Sequence, residues 1–260
     1  MINISARNQL RLTILYPPFI ITSGRKCGKY ISGWRKSLYE CSFKKAILIV
    51  SFGTSYENTR KRTIDAIERD IADAFPVCPV YRAWTSKMII AKLKKTCGII
   101  IHTVKEAMEQ MLLDGITDVI VQPTHVINGI ENDQMKADAL SFRDRFSSIV
   151  FGNPLLTTEE DNQAVVQAVA GEFQDMDQET ALVLMGHGTE HYANSVYAAL
   201  DYRFKDMGHK NIFLGTVEAY PALDSLLRAA DSFQPKKDCR PCRFQKYSYW
   251  HHAEKGWPDG

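Results

Sequence analysis

From Lys44 onward, short uninterrupted apolar runs alternate with segments that carry apolar residues at helical spacing. The first run, "KAILIVSFG", ends in glycine, and "ENTRKRTIDAIERDIADAFP" follows it with Ile64, Ile67 and Ile71 along one helical face. An apolar run without polar alternation is typical of a parallel strand that is buried on both faces. The alternation therefore predicts an α/β fold with parallel sheets.

The alternation occurs twice, and the two halves of the chain resemble each other. "ILIVSFGTSYEN" aligns with "LVLMGHGTEHYAN", which sets Phe52 opposite His187. "YRAWTS" aligns with "VEAYPA", which sets Arg82 opposite Glu218 at nearly the same offset. A near-constant offset across two separate elements predicts a duplicated α/β unit.

The boundaries of this pattern predict four segments. Residues 1–43 form an unpatterned extension, 44–152 the first α/β half, 153–232 the second half, and 233–260 an irregular tail. The tail has no apolar run where the counterpart of "ITDVIVQPTH" should fall, so the second half is predicted to be incomplete.

The apolar stretch in the extension is broken by two prolines and does not match a secretory signal. We expect a cytoplasmic protein, with an exported form as the alternative.

Composition and absent motifs exclude several classes of function. The chain of 260 residues is 45% hydrophobic with a net charge of +2, which gives no electrostatic case for nucleic acid or a membrane surface. No apolar run approaches the roughly 18 residues of a spanning helix. The sequence has no P-loop, no GxGxxG after the first strand and no GxSxG elbow, so we expect no nucleotide cofactor.

His187 is the leading candidate for a chemical role. It lies between two glycines at the end of a predicted strand, and Glu218 follows the next predicted strand. The carboxyl ends of parallel strands form the crevice where α/β proteins bind ligands. Imidazole and carboxylate together suit a borderline divalent metal, and the flanking glycines are expected to let a ligand approach closely. The alternative is a turn histidine that is satisfied by backbone groups.

For other polar residues, the sequence gives weaker evidence of a functional role. "PTHVINGIEND" offers His125, Asn128 and Glu131 either as a wall of the cleft or as ordinary Asn-Gly turn chemistry. His191 is expected to be solvated or to support the site from a second layer.

A lone CxxC lies in the tail. Cys239 and Cys242 precede His251 and His252, so a zinc site is conceivable, although a single CxxC is a weak signal.

Six ordered motifs carry a resemblance to a known family: "ILIVSFGTSYENT", "RAWTSKMII", "QPTHVINGIE", "NPLL", "LMGHGTEH" and "VEAYPALD". From about Lys44 to Ala230 the chain resembles the anaerobic cobalt chelatases, sirohydrochlorin cobaltochelatases of the class II chelatase group. The resemblance implies two similar α/β halves and the insertion of Co²⁺, without ATP, into a tetrapyrrole that bears eight carboxylates.

The resemblance also implies roles for individual residues. His187 matches the family's metal ligand and proton acceptor, Glu218 matches its second ligand, and Glu131 matches a catalytic glutamate of the cleft loop. The family's third ligand is a histidine in a Gly-Asp-His-Ala motif that follows a further strand. Here only "HHAEK" retains a His-Ala pair, which makes His252 a candidate metal ligand. A frameshifted or truncated reading frame would account for the patternless tail.

The remaining expectations concern substrate and partners. Arg82, His125 and Asn128 are predicted to bind the substrate, with Arg82 pairing with its carboxylates. The metal is Co²⁺, with Ni²⁺ or Fe²⁺ as alternatives that sequence cannot rank. A metal- or tetrapyrrole-binding protein without catalysis is the alternative outside enzymes. A homo-oligomer is left open, and no nucleic-acid or membrane partner is expected.

Overall fold

The computed structural model describes residues 45–176, 180–232 and 245–248. These residues form two compact units that meet in the sequence between Leu155 and Leu156. The division falls close to the predicted boundary between 152 and 153. The predicted extension 1–43 and most of the predicted tail 233–260 lie outside the described residues.

The first unit contains a parallel sheet of four strands within residues 45–155. Its strands are β1 (Lys45–Ser51), β2 (Val80–Trp84), β3 (Asp118–Pro123) and β4 (Ser148–Phe151). Its helices are α1 (Glu57–Arg62), α2 (Ile64–Ala74), α3 (Lys87–Cys97), α4 (Val104–Leu113) and α5 (Ile130–Leu140). The strands lie in the order β2-β1-β3-β4 with parallel neighbours. The predicted α/β class is confirmed.

Strand β1 is the centre of this unit because both of its faces are covered. Ala46, Leu48 and Val50 pack in one apolar cluster with residues of α4 and α5, whereas Ile47 and Ile49 pack in another with Ile71 of α2. Burial on both faces explains why the strand is apolar without alternation. Parallel strands need crossover connections, and the helices between the strands supply them.

Local capping signals fix where several helices begin. Thr103 and Glu106 form a capping box at the start of α4, and Ser86 accepts a hydrogen bond from the backbone of Ile89 at the start of α3.

The structure differs from expectation after β1, where the single predicted helix is interrupted at Thr63 and becomes α1 and α2. The Thr63 hydroxyl donates to the Thr59 carbonyl at 2.7 Å, in addition to the backbone bond from Thr63 to the same carbonyl, and such bonds often bend a helix.

The second unit contains a smaller parallel sheet within the described residues 156–176, 180–232 and 245–248. Its strands are β5 (Leu182–Gly186), β6 (Ile212–Thr216) and β7 (Gln245–Ser248), in the order β6-β5-β7. Its helices are α6 (Glu159–Glu172), α7 (Ser195–Asp206) and α8 (Leu223–Ser232), and a 3-10 turn covers Tyr192–Asn194. Helix α8 begins two residues after Pro221.

Strand β7 corrects the prediction of an irregular tail. Residues 245–248 pair in parallel with β5, from Leu182 opposite Gln245 to Met185 opposite Ser248. The segment "QKYS" was missed because its polar composition does not match a strand buried on both faces. Strand pairing uses backbone groups, so a short polar segment can occupy this position. β7 lies beside β5 as β3 lies beside β1.

Among the helices of the described residues, none is both long and apolar enough to cross a membrane.

Candidate metal-binding site

His187 directly follows the last residue of β5, and its side chain is about half exposed, at 49%. The ring atom Nδ1 lies 3.0 Å from the carbonyl oxygen of Gly188. Because a carbonyl oxygen only accepts hydrogen bonds, Nδ1 carries the proton in the neutral ring. In this tautomer the lone pair is on Nε2, which is the atom that can bind a metal ion.

The carboxylate of Glu218 lies close to this ring nitrogen. Oε1 of Glu218 lies 3.7 Å from Nε2 of His187, and the Glu218 side chain is 58% exposed. Metal–nitrogen and metal–oxygen bonds in proteins measure roughly 2.0–2.2 Å. One divalent ion can therefore contact both atoms from a position that is open to solvent and to a second ligand.

Backbone hydrogen bonds fix the two loops that carry these side chains. The carbonyl oxygen of His187 accepts from the backbone N–H groups of Val217 and Glu218 at 3.2 and 3.0 Å. The carbonyl oxygen of Gly186 also accepts from Val217, at 3.1 Å. These bonds continue the β5–β6 pairing beyond the strand ends. The proximity of the imidazole and the carboxylate thus follows from the backbone hydrogen bonds between the residues that follow β5 and β6.

The two glycines beside His187 are required by packing, which corrects the expectation that they give a ligand access. A Cβ added to Gly186 would lie 2.6 Å from the ring of Tyr197. A Cβ added to Gly188 would lie 2.9 Å from the backbone nitrogen of Ala219, and Gly188 has a φ of +86°. Both positions need glycine because neighbouring protein atoms fill the space that a side chain would occupy.

His191 has a structural role in the described loop. Its Nδ1 accepts a hydrogen bond from the backbone of Ala193 at 3.2 Å, and it caps the 3-10 turn that follows. Its ring also stacks on that of Tyr192, with 4.0 Å between centroids.

Strand register revises the equivalence between the two halves. In the first unit, the backbone of Thr85 donates to Ser51 and that of Ser86 donates to Phe52. In the second unit, Val217 donates to Gly186 and Glu218 donates to His187 in the same arrangement. Phe52 therefore does correspond to His187. The counterpart of Glu218 is Ser86, and the sequence alignment with Arg82 was wrong by four residues.

Arg82 lies within β2 and is paired with carboxylates of α2. Its Nε lies 2.8 Å from both carboxylate oxygens of Glu68, and its Nη2 lies 2.5 Å from Oδ1 of Asp65. Burial raises the pKa of Glu68 above its ordinary value, and the guanidinium of Arg82 opposes that rise. This network supports a structural role, and substrate binding by Arg82 stays a prediction.

The other predicted residues of the first unit lie after β3. Both ring nitrogens of His125 are buried without a hydrogen-bond partner in the described residues, and burial lowers its pKa to about 4. Asn128 accepts a hydrogen bond from the side chain of Asn132 at 3.2 Å. Glu131 is exposed in the first turn of α5. Their predicted roles in substrate binding and catalysis stay predictions.

The structure brings together two of the predicted metal ligands, His187 and Glu218. Within the described residues, no cluster of three or more His, Cys, Asp or Glu side chains could hold a metal ion. His252, Cys239 and Cys242 lie outside the described residues. Sequence reasoning missed Asn194, whose side chain contacts both ligand-bearing loops, because an asparagine near a helix start is usually an ordinary cap.

Comparisons with known proteins identify a family that this chain matches. A family model described as cobalt chelatase (CbiK) matches residues 45–240. A sirohydrochlorin cobaltochelatase of Salmonella typhimurium is 38% identical over 184 residues, which are 71% of this chain and 69% of that protein. The sirohydrochlorin cobaltochelatase CbiKC of Nitratidesulfovibrio vulgaris is 30% identical over 191 residues, 71% of this chain and 65% of that protein.

A solved structure also resembles the chain. The sirohydrochlorin chelatase SirB from Bacillus subtilis subspecies spizizenii, in complex with cobalt, matches with a TM-score of 0.49 and 18% identity, over 71% of this chain and 70% of that chain.

Proposed function

This chain belongs to the cobalt chelatase family, and on that premise we propose that it inserts Co²⁺ into sirohydrochlorin without ATP. The observation that carries the proposal is the approach of Nε2 of His187 to Oε1 of Glu218, 3.7 Å away, at the ends of two paired strands. The names of the two relatives support the metal and the tetrapyrrole as substrates.

The donor set suits an ion that must be passed on. Co²⁺ would bind between Nε2 of His187 and Oε1 of Glu218, on side chains that are about half exposed. Imidazole and carboxylate bind borderline divalent ions without the trapping that soft thiolates produce. Coordination positions left open to solvent let a macrocycle nitrogen replace a ligand, as in catalytic metal sites. Ni²⁺ and Fe²⁺ suit the same donors, and we propose them as alternative substrates.

We further propose that His187 accepts one of the two pyrrole protons. As the ion moves from Nε2 to the macrocycle nitrogens, the lone pair of Nε2 is released and can take a proton. The new imidazolium lies beside the Glu218 carboxylate, so the charge is stabilised where it forms. The second proton leaves to solvent, and the charges balance because one dication replaces two protons.

We propose His252 as a third ligand and Glu131 as a second catalytic residue. Strand β7 is parallel to β5, and it ends at Ser248, four residues before His252 in the sequence. Parallel strands present their carboxyl ends at one edge of the sheet, which supports this assignment. Arg82, His125 and Asn128 stay as proposed contacts to the substrate.

An insertion assay tests the proposal. We expect the purified chain with Co²⁺ and sirohydrochlorin, under anaerobic conditions, to produce the absorbance change of the metallated macrocycle faster than the mixture without protein. His187→Ala should reduce the rate to the uncatalysed level, whereas His209→Ala, a histidine after α7 in the same unit, should retain it. Equal rates for parent and His187→Ala would overturn the role of His187.

Tight binding of Co²⁺ or sirohydrochlorin without turnover would instead favour a binding protein without catalysis. Replacing Co²⁺ by Ni²⁺ or Fe²⁺ in the same assay ranks the metals, which the donor set alone does not.

A further inference from the structure

We infer that Asn194 is a positioning residue that sets the distance between His187 and Glu218. The inference rests on the proposed function, because it concerns the two proposed metal ligands. Asn194 itself touches neither the imidazole nor the carboxylate in any contact that the structure gives. It acts through the two loops that carry them.

The side-chain amide of Asn194 joins these loops by two hydrogen bonds. Its Oδ1 accepts from the backbone N–H of Thr189 at 3.1 Å. Its Nδ2 donates to the carbonyl oxygen of Tyr220 at 2.5 Å. Thr189 lies two residues after His187, and Tyr220 lies two residues after Glu218. One amide therefore connects equivalent points on the far side of both ligands.

The backbone bonds at the strand ends join the two loops on the near side of the ligands, and Thr216 holds the loop after β6 to its own strand through Ala219 and Pro221. The His187 carbonyl is bonded to Val217 and Glu218, and both of these residues are exposed. A further connection between the two loops, on the far side of the ligands, limits how far the loops can move relative to each other. A metal site depends on such positioning contacts, since ligands held loosely bind with a larger loss of conformational entropy.

Asn194 is itself attached to a well-packed element. It immediately precedes α7, whose Tyr197, Leu200 and Phe204 are buried. Contacts made from the start of this helix therefore tie both loops to the packed body of the unit. The loop after β5 and the loop after β6 are positioned by the same rigid support.

The residue type is specific because the two partners have opposite hydrogen-bonding character. A backbone N–H needs an acceptor and a backbone carbonyl needs a donor, and a primary amide supplies both. An aspartate at this position would still accept from Thr189 but would set a carboxylate oxygen against the Tyr220 carbonyl. We therefore expect Asn194→Asp to weaken the site as much as Asn194→Ala.

Binding of Co²⁺ alone to the full chain tests the inference, and Asn211→Ala provides the matched control. Asn211 lies in the same unit and its Nδ2 also donates to a backbone carbonyl, that of Thr180, at 3.0 Å. Both alanine variants should lower the thermal unfolding midpoint by similar amounts. Only the Asn194 variants should weaken Co²⁺ binding, by about tenfold, as is typical when a supporting contact of a metal ligand is lost.

Insertion kinetics separate this inference from the proposed function. In an active chain, Asn194→Ala should lower kcat by a similar factor with little change in the KM for sirohydrochlorin. Equal Co²⁺ affinities for Asn194→Ala and Asn211→Ala would overturn the inference while leaving parent activity intact. Weakened Co²⁺ binding in a chain that inserts no metal would support the positioning role and overturn the proposed function. No Co²⁺ binding by the parent would overturn both.

Discussion

The backbone N–H of Glu218 donates a hydrogen bond to the carbonyl oxygen of His187, and the side chains of the same two residues approach to 3.7 Å. The backbone contact extends the pairing of the sheet, and the side-chain contact forms the proposed metal site. The first unit repeats the backbone contact between Ser86 and Phe52, which have no ligating side chains suited to a metal pair. The scaffold is therefore duplicated, and the positions that hold an imidazole and a carboxylate in the second unit hold a phenyl ring and a hydroxyl in the first.

Glu218→Gln should weaken Co²⁺ binding at least about tenfold, which corresponds to about 1.4 kcal/mol. The substitution keeps the shape of the side chain but removes the charge that attracts the ion. Isothermal titration of the full chain with Co²⁺ measures the effect. Glu190→Gln is the control, because Glu190 is an exposed glutamate of the loop that carries His187. Equal affinities for the two variants would show that Glu218 does not bind the metal.

Gly188→Ala should destabilise the second unit by at least about 1 kcal/mol more than Gly208→Ala. Both glycines have a positive φ, at +86° and +92°, so both substitutions carry the left-handed backbone cost of roughly 1–2 kcal/mol. Only at Gly188 would the new Cβ meet other atoms, while nothing lies within 4 Å at Gly208. Denaturant unfolding measures the difference, and equal losses would contradict the packing role of Gly188.

Arg82→Ala should lower the free energy of unfolding at pH 7 by about 2 kcal/mol, below the 3–5 kcal/mol typical of fully buried ion pairs. It leaves Glu68 half-buried, with a pKa raised further above the ordinary value because the opposing guanidinium is gone. A raised carboxyl pKa favours the folded state at low pH and loses that contribution as pH rises through the folded-state pKa.

The destabilisation by Arg82→Ala should therefore be smaller near pH 4 than at pH 7. Urea unfolding at the two pH values measures this, with Arg69→Ala, an exposed arginine of α2, as the control. A loss that is independent of pH would contradict the coupling to Glu68.

His125 should make the first unit sensitive to mild acid. Its pKa falls from an ordinary 6.5 to about 4 through burial, so between these values the unfolded chain takes up a proton that the folded chain does not. The associated loss of stability is roughly 3 kcal/mol between pH 6.5 and 4, with no contribution above pH 6.5. His125→Phe should remove this slope, as measured by urea unfolding, whereas His209→Gln should leave it. An unchanged slope in His125→Phe would contradict the assignment.

Much of this protein could be predicted from the order of its residues. Continuous apolar runs such as that of β1 predict parallel strands because burial on two faces leaves no position for polar side chains. Apolar spacing and capping residues such as Thr158 at the start of α6 predict helices because those signals act within a few residues. His187 and Glu218 were found for the same reason, since each directly follows a predicted strand.

The tertiary structure decided what depends on backbone pairing between distant segments. Register alone showed that Ser86, not Arg82, corresponds to Glu218, because it is read from hydrogen bonds between residues that lie far apart in the sequence. The polar strand β7 was unpredictable for the same reason. Gly188 is required because a side chain there would meet Ala219, which is distant in the sequence. Likewise, Asn194 donates a hydrogen bond to the carbonyl of Tyr220, which is also distant in the sequence. The residue order determined which chemical groups stand at the ends of the strands, and only folding determined which of them meet.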